Sequence, residues 1–392
     1  MPSDLQAQTV SPKATVSDPG SISKSMTNPV EFVDIRSFIS RRKKFLVVVN
    51  DHTRPTPTAS VLRELELKGK DVTTIVANGT HRAPTKQELE DILGGRDATP
   101  PYGGEVRIHD SRDNSSLVEF GRTRRGTKLL INRLLAEAEG IIVVGSVEPH
   151  YFAGYTGGRK FLLPGLAGLE SIVMNHALAA DESSRIIKLE GNPVHEDFMD
   201  ALDRFGRFDD IFSIQLVLNA QHQVSYASSG HIVHSFVKAV ERAEETYVPP
   251  VKGRADIVIS VAKPPMDCDL YQSQKALDNV KLAVNEGGII ILVSRCKDGI
   301  GDRGFYNLLT GADSMDPHKF GFHKAVKMKK LLQNTTVFAV SDLPPTVAKS
   351  ISITPFPDIQ TAFDRATEIK GKHANALIVL DGGLVVPKPS EL

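Results

Sequence analysis

The sequence has no tryptophan and only two cysteines, Cys268 and Cys296, so a disulfide framework is excluded and a reducing compartment, the cytoplasm, is expected. It also has no net charge, because 47 lysines and arginines balance 47 aspartates and glutamates. A nucleic-acid binder shows a basic excess or a basic face instead. No apolar run is long enough to span a bilayer. Neither nucleic acid nor a membrane is therefore expected as a partner. What is present, 41% hydrophobic and 24% charged residues over 392 positions, is the make-up of an ordinary globular chain with material for two sizeable cores.

Residues 1–29 are rich in Ser, Thr, Pro and Ala and read as a disordered leader. Beyond Arg41, β-branched runs alternate with helix-length segments: Phe45–Asn50, Val72–Ala77, Val106–His109 and Ile141–Val144. That alternation predicts an α/β fold with mostly parallel strands. A hairpin is expected from Phe212–Leu218 and Val224–Ala227 across the Asn219–Gln223 turn, followed by a helix over Ile232–Tyr247. The stretch VPPVKGRAD then interrupts regular structure and marks a boundary between an N-terminal domain, 30–249, and a C-terminal domain, 250–392. The second domain has strand-like runs of its own at Ile257–Val261, Ile289–Val293, Val337–Val340 and Leu377–Leu380.

The chemically rich segments follow strands, and in open α/β sheets ligands bind beyond the carboxyl ends of strands. The first, Asp51 to Pro57 (DHTRPTP), offers a carboxylate, an imidazole and the planar fork of Arg54, which suits a carboxylate or phosphate. A capped helix start with a surface ion pair is the plainer account of it. The second, NGTHRAPT, places His81 beyond a strand end, where it is able to exchange a proton with a ligand. The third runs from Glu148 to Lys160 (EPHYFAGYTGGRK) and on to Asn175-His176. Gly154, Gly157 and Gly158 permit close backbone approach, and consecutive exposed amides there would hold a phosphate. The P-loop pattern is not met, because Gly158 is followed by Arg159, Lys160 and Phe161. His176 sits in an apolar helical context and by itself reads first as a core histidine, and neither it nor His150 has zinc-site spacing. In the second domain DCDLYQSQK begins a helix on which Gln272 and Lys275 share a face, and RCKDGIGD forms a glycine-rich turn after a strand.

Taken together, NDHTRPTP, NGTHR, EPHYFAGYTGGRKFLLPG with its following NH, GNPVHED, DLYQSQKAL and SRCKDGIGD resemble the lactate racemase family, in family order from about residue 45 to residue 303. The resemblance implies inversion of the hydroxyl-bearing carbon of a 2-hydroxy acid by hydride transfer. It implies a nickel-pincer nucleotide (pyridinium-3-thioamide-5-thiocarboxylic acid mononucleotide) bound between two α/β domains and covalently linked to Lys160. Carried over residue by residue, His176 completes the nickel coordination and His81 and His150 form the acid/base pair. Arg54, Gln272 and Lys275 hold substrate carboxylate or cofactor, with Asp51 and Tyr271 nearby. The enzymes that build the cofactor are the implied partners. The chain departs from the family in two respects: a disordered leader stands in place of the N-terminal strand, and no tryptophan is available to sit beside the substrate, a role left to Phe305 or Tyr306. The resemblance thus implies a 2-hydroxy acid without singling out lactate.

Two other classes use the same residues. A divalent-metal hydrolase would take Asp51, His81, His150 and His176 as ligands, and a non-catalytic nucleotide or cofactor carrier would need only the glycine loop and its lysine.

Overall fold

The computed structural model describes residues 7–316 and 321–390. The chain forms two compact units, one of residues 14–243 and the other of residues 1–13 with 244–392. Their strands, in chain order, are β1 (Ala7–Val10), β2 (Lys44–Asn50), β3 (Asp71–Ala77), β4 (Glu105–Ile108), β5 (Gly140–Ser146), β6 (Ile211–Leu218) and β7 (Val224–Gly230). There follow β8 (Ala255–Val261), β9 (Val284–Val293), β10 (Thr336–Val340), β11 (Ile353–Phe356) and β12 (Ala376–Val379).

The unit of residues 14–243 is built on a six-stranded sheet in the order β7-β6-β5-β2-β3-β4. All neighbours are parallel except the β6–β7 hairpin. The run KFLVVVN makes β2 its centre because side chains on both faces are apolar. Phe45, Val47 and Val49 pack into the core on one face, and Leu46 and Val48 into the core on the other. Burial of such a side chain is worth roughly 1.5–3 kcal/mol. From β2 the chain winds outward through β3 and β4, then returns to the other side of β2 for β5 and β6. The order therefore reverses between β2 and β5, and the crevice beyond their carboxyl ends is where such sheets bind ligands.

The other unit has a six-stranded sheet, β1-β12-β8-β9-β10-β11, parallel throughout. Here the order reverses between β8 and β12. The helix after β8, Leu270–Val280, starts at Asp269, whose carboxylate accepts the Gln272 N–H at 2.7 Å.

The α/β architecture and the strand and hairpin expectations hold, but two expectations are corrected. Residues 7–29 are not a disordered leader: Ala7–Val10 pair with Ala376–Val379, and the helix Gly20–Thr27 buries Ile22 and Met26. Residues 1–6 lie outside the described residues. The chain also crosses between the compact units at 243/244 rather than 249/250, because the last turn of the helix Ile232–Tyr247 buries Tyr247, whose carbonyl accepts the Val386 N–H. Among the described residues no helix is long and apolar enough to cross a membrane.

Candidate active site

Three loops meet at the carboxyl ends of β2, β3 and β5. The loop after β2 begins with Asp51, which is 4% exposed. Its Oδ2 accepts the His81 Nδ1–H at 2.6 Å, and its Oδ1 accepts the Thr53 hydroxyl at 2.7 Å. Burial opposes the charge, but the bonds from His81 and Thr53 and the nearby His81 and Arg54 charges prevail and hold the carboxyl below its usual range. With Nδ1 donating to Asp51, the ring turns Nε2 outward from a half-exposed side chain, and in the neutral form that nitrogen carries the lone pair. Burial makes the neighbouring His52 less basic than an ordinary histidine.

Arg54 ties this loop to the one after β5, donating from Nη1 to Glu148 Oε1 at 2.9 Å, with the Glu148 side chain 8% exposed. The Glu148 N–H donates in turn to Thr156 Oγ1 at 2.9 Å. The second and third loops also touch, since the Gly79 N–H donates to the Gly165 carbonyl at 3.1 Å. Gly79 has φ 55°, a conformation that favours glycine, so the turn calls for it even though an added Cβ would only touch the Pro164 carbonyl.

His150 is buried and oriented opposite in tautomer to His81. Its Nδ1 accepts the Ala153 N–H at 3.2 Å, so the neutral ring carries its proton on Nε2, 3.5 Å from Lys160 Nζ. A neutral amine accepts such a donor. Phe152 is the hub of the group: His150 and His176 meet its ring at centroid distances of 4.5 and 5.0 Å, and Lys160 Nζ lies 5.5 Å from it. His176 lies on the helix Leu169–Ala177 with Nδ1 3.2 Å from Asn175 Oδ1.

Between His150 and Lys160 the loop is pinned from inside by Arg159, which is 1% exposed and donates to the carbonyls of Ala153 and Tyr155 at 2.8 and 3.0 Å. Burial pulls its guanidinium down to about 9, and burial followed by the Arg159 charge pulls His195 down to about 3. The exposed amide expected at Gly158 is not found, and Gly157 is partly exposed. Gly158 N–H is buried and donates to Gln215 Oε1 at 2.8 Å, and a Cβ at either glycine would strike Gln215, Val147 or Phe236. These glycines are required by packing against the protein itself.

In the other unit Tyr271, Gln272 and Lys275 occupy the first turns of the helix Leu270–Val280, all partly exposed, with Lys275 Nζ 3.2 Å from Met266 Sδ. The Arg295–Asp302 turn clasps this helix start, as the N–H groups of Leu270 and Tyr271 donate to the carbonyls of Gly299 and Ile300. Cys296 is buried and burial raises its thiol, so it is not a nucleophile. Phe305 is also buried, edge-on to Tyr271 at 5.4 Å, and so supports Tyr271 from behind. Tyr306 bonds Ser350 at 2.9 Å.

Several residues of these arrangements carry no local sequence signal: Glu148 under Arg54, Gln215 under the glycine loop, and Lys324. Lys324 is buried with its ammonium 3.8 Å from the Tyr271 ring centroid and donating to the Tyr271 carbonyl. Only the GNPVHED segment pointed toward Asp197, which supports Asn175.

Among the described residues no three His, Cys, Asp or Glu side chains converge as a metal cage, so the four-ligand set of the hydrolase reading is not assembled. Comparison with known proteins gives a consistent result. Residues 2–186 match the lactate racemase N-terminal domain and residues 251–330 the lactate racemase C-terminal domain. The lactate racemase of Lactiplantibacillus plantarum is 30% identical, over 95% of this chain and 91% of that protein. That of Thermoanaerobacterium thermosaccharolyticum is 28% identical, over 97% and 93%. The structure of the latter's apoprotein superposes with a TM-score of 0.90 at 27% identity, covering 99% of this chain and 96% of that one. A Thermotoga maritima protein shares the fold at a TM-score of 0.73 and 17% identity.

Proposed function

Since the chain belongs to the lactate racemase family and is an isomerase of the racemase type, we propose that it inverts the hydroxyl-bearing carbon of a 2-hydroxy acid with a nickel-pincer nucleotide linked to Lys160. The observation that carries this reading is the pair of oppositely poised imidazoles, His81 and His150, on loops tied to one another by the Gly79–Gly165 hydrogen bond, with Lys160 beside His150. The side chains present fit the group. Lys160 has an imidazole N–H beside its amine, and His176 is a single imidazole among aromatic neighbours, as a metal whose other donors are organic requires. When bound, the group supplies a hydride acceptor.

The remaining work falls to the chain. A hydroxy acid loses its α hydrogen far more readily as hydride than as a proton, provided a base takes the hydroxyl proton at the same time. His81 Nε2, oriented by the Asp51 carboxylate behind Nδ1, does so on one face. His150, with its proton on Nε2, returns a proton on the other, and the roles reverse for the opposite enantiomer. Such positioned acid/base groups contribute about 10²–10⁴-fold each. Arg54 orients the substrate carboxylate: Nη1 is engaged with Glu148, and a guanidinium has four other N–H donors. Lys275 and Gln272 are assigned to substrate and cofactor, with Tyr271 beside them. The cofactor-building enzymes are its implied partners, and the cytoplasm is the compartment in which they would meet.

The test is intact-mass analysis and chiral chromatography on protein co-produced with those enzymes, over a panel of 2-hydroxy acids. Wild type carries a sulfur-containing adduct and one nickel and inverts a member of the panel. Lys160→Ala loses the adduct. His81→Ala and His150→Ala keep the adduct and lose inversion. An adduct that survives Lys160→Ala refutes the reading.

A further inference from the structure

The reading of His176 as metal ligand does not say which ring nitrogen binds, and the hydrogen bonds behind it do. Asp197 is fully buried on the helix Pro193–Phe205, which packs against the helix bearing His176. Its Oδ2 accepts hydrogen bonds from the Thr127 hydroxyl and from the Asn175 side-chain amide, both at 2.8 Å. Thr127 is itself held, donating its N–H to Thr123 Oγ1 at 3.0 Å.

A carboxylate only accepts, so Asp197 dictates how the Asn175 amide is turned: its NH₂ faces Asp197 and its oxygen faces His176. That oxygen, 3.2 Å from His176 Nδ1, is again only an acceptor. The neutral imidazole must then carry its proton on Nδ1 and its lone pair on Nε2. Asn175 is fully buried, so water does not compete for the amide.

We infer that Asn175 and Asp197 are positioning residues that hold His176 as its Nδ1–H tautomer and thereby commit Nε2 to the metal. The first half stands on the geometry alone, and the second rests on the proposed function. A histidine ligand whose other nitrogen is fixed by a hydrogen bond binds metal more tightly, and loss of such a partner costs about 10–100-fold in affinity.

The decisive measurement is made on the wild-type apoprotein, which avoids any folding defect. Two-bond ¹H–¹⁵N correlation spectra of ¹⁵N-histidine-labelled protein are recorded about two pH units above the ordinary histidine pKa of about 6.5. The His176 signal is identified by its loss in His176→Gln. The expected pattern is a protonated Nδ1 and a bare Nε2. In Asn175→Leu the proton moves largely to Nε2, and nickel affinity of the loaded protein falls by about 10–100-fold. Protonated Nε2 in wild type, or an unchanged Nδ1–H in Asn175→Leu, overturns the inference. A wild type with the expected tautomer that takes up no nickel leaves the histidine-orienting device standing and overturns the metal half together with the proposed function.

Discussion

Gly157→Ala separates two roles for the glycine loop, contact with a cofactor and packing against the protein. Gly157 has φ 80° and ψ −175°, a region that is essentially glycine's alone and costs other residues about 1–3 kcal/mol. The new methyl would lie 2.5 Å from Gln215 Oε1 and 2.6 Å from Val147 Cγ2. Relieving that overlap costs a further 1–3 kcal/mol or so. Displacing Gln215 also breaks its bond with the Gly158 N–H, about 1 kcal/mol. The sum is roughly 3–7 kcal/mol, and it falls on the apoprotein. At about 2–4 °C per kcal/mol for a unit of this size, the melting temperature of unloaded Gly157→Ala should drop by roughly 6–28 °C, read by calorimetry against unloaded wild type. Apoproteins that melt within about 2 °C of each other, with only the adduct lost, would refute the packing argument.

Arg54→Ala leaves Glu148 buried without its cation, and stability should fall by about 1–3 kcal/mol, the usual cost of a broken buried pair reduced for Arg54's partial exposure. Adding Glu148→Gln should restore stability by denaturant titration without restoring activity, and a double variant no more stable than the single one would discredit the pair. Asp51→Asn should lower kcat by about 10²–10⁴ with KM little changed, since its carboxylate supports His81 and not the substrate. An equal rise in KM would relocate Asp51 to binding. Burial pulls Lys324 from 10.5 down to about 8. Both folded and unfolded chains hold that proton below pH 8, where the full cost of burial is borne. Between about 8 and 10.5 the unfolded chain binds more protons, so this residue makes stability rise with pH, by about 3 kcal/mol in all. Lys324→Met should abolish that rise and gain stability at pH 7 in urea titrations followed by tyrosine fluorescence. An unchanged pH profile would show that Lys324 remains charged.

The strands that carry the site were legible because burial on both faces demands uninterrupted β-branched runs such as FLVVVN. The loops were legible because polar residues and glycine must follow where those runs stop at a sheet edge. The strand Ala7–Val10 was not, since four residues among Ser, Thr and Pro show no pattern until their partner at Ala376–Val379 is beside them. Ile353–Phe356 escaped for a related reason: it is a short edge strand containing Pro355, where a missing N–H is tolerated. In the proposed site, residue types whose chemistry is evident on their own were visible, including Lys160, His81 and His150. Those that act through a distant partner, Glu148 on Arg54 and Asp197 on Asn175, depend on the fold to bring them together. The glycines were noticed but assigned to a ligand, because sequence cannot tell an amide facing solvent from one facing Gln215.

The pairing of Ala7–Val10 with Ala376–Val379 also sets an order of events during biosynthesis. Ala7–Val10 leaves the ribosome before the strand it pairs with, and the whole of residues 14–243 is made in between. Ala7–Val10 must therefore wait unpaired while an intervening unit collapses on its own contacts, and the pairing forms only once Ala376–Val379 has been made. Removal of Ala7–Val10 therefore burdens the unit that bears Tyr271, Gln272 and Lys275, far along the chain, and leaves the edge of β12 open to pairing between molecules.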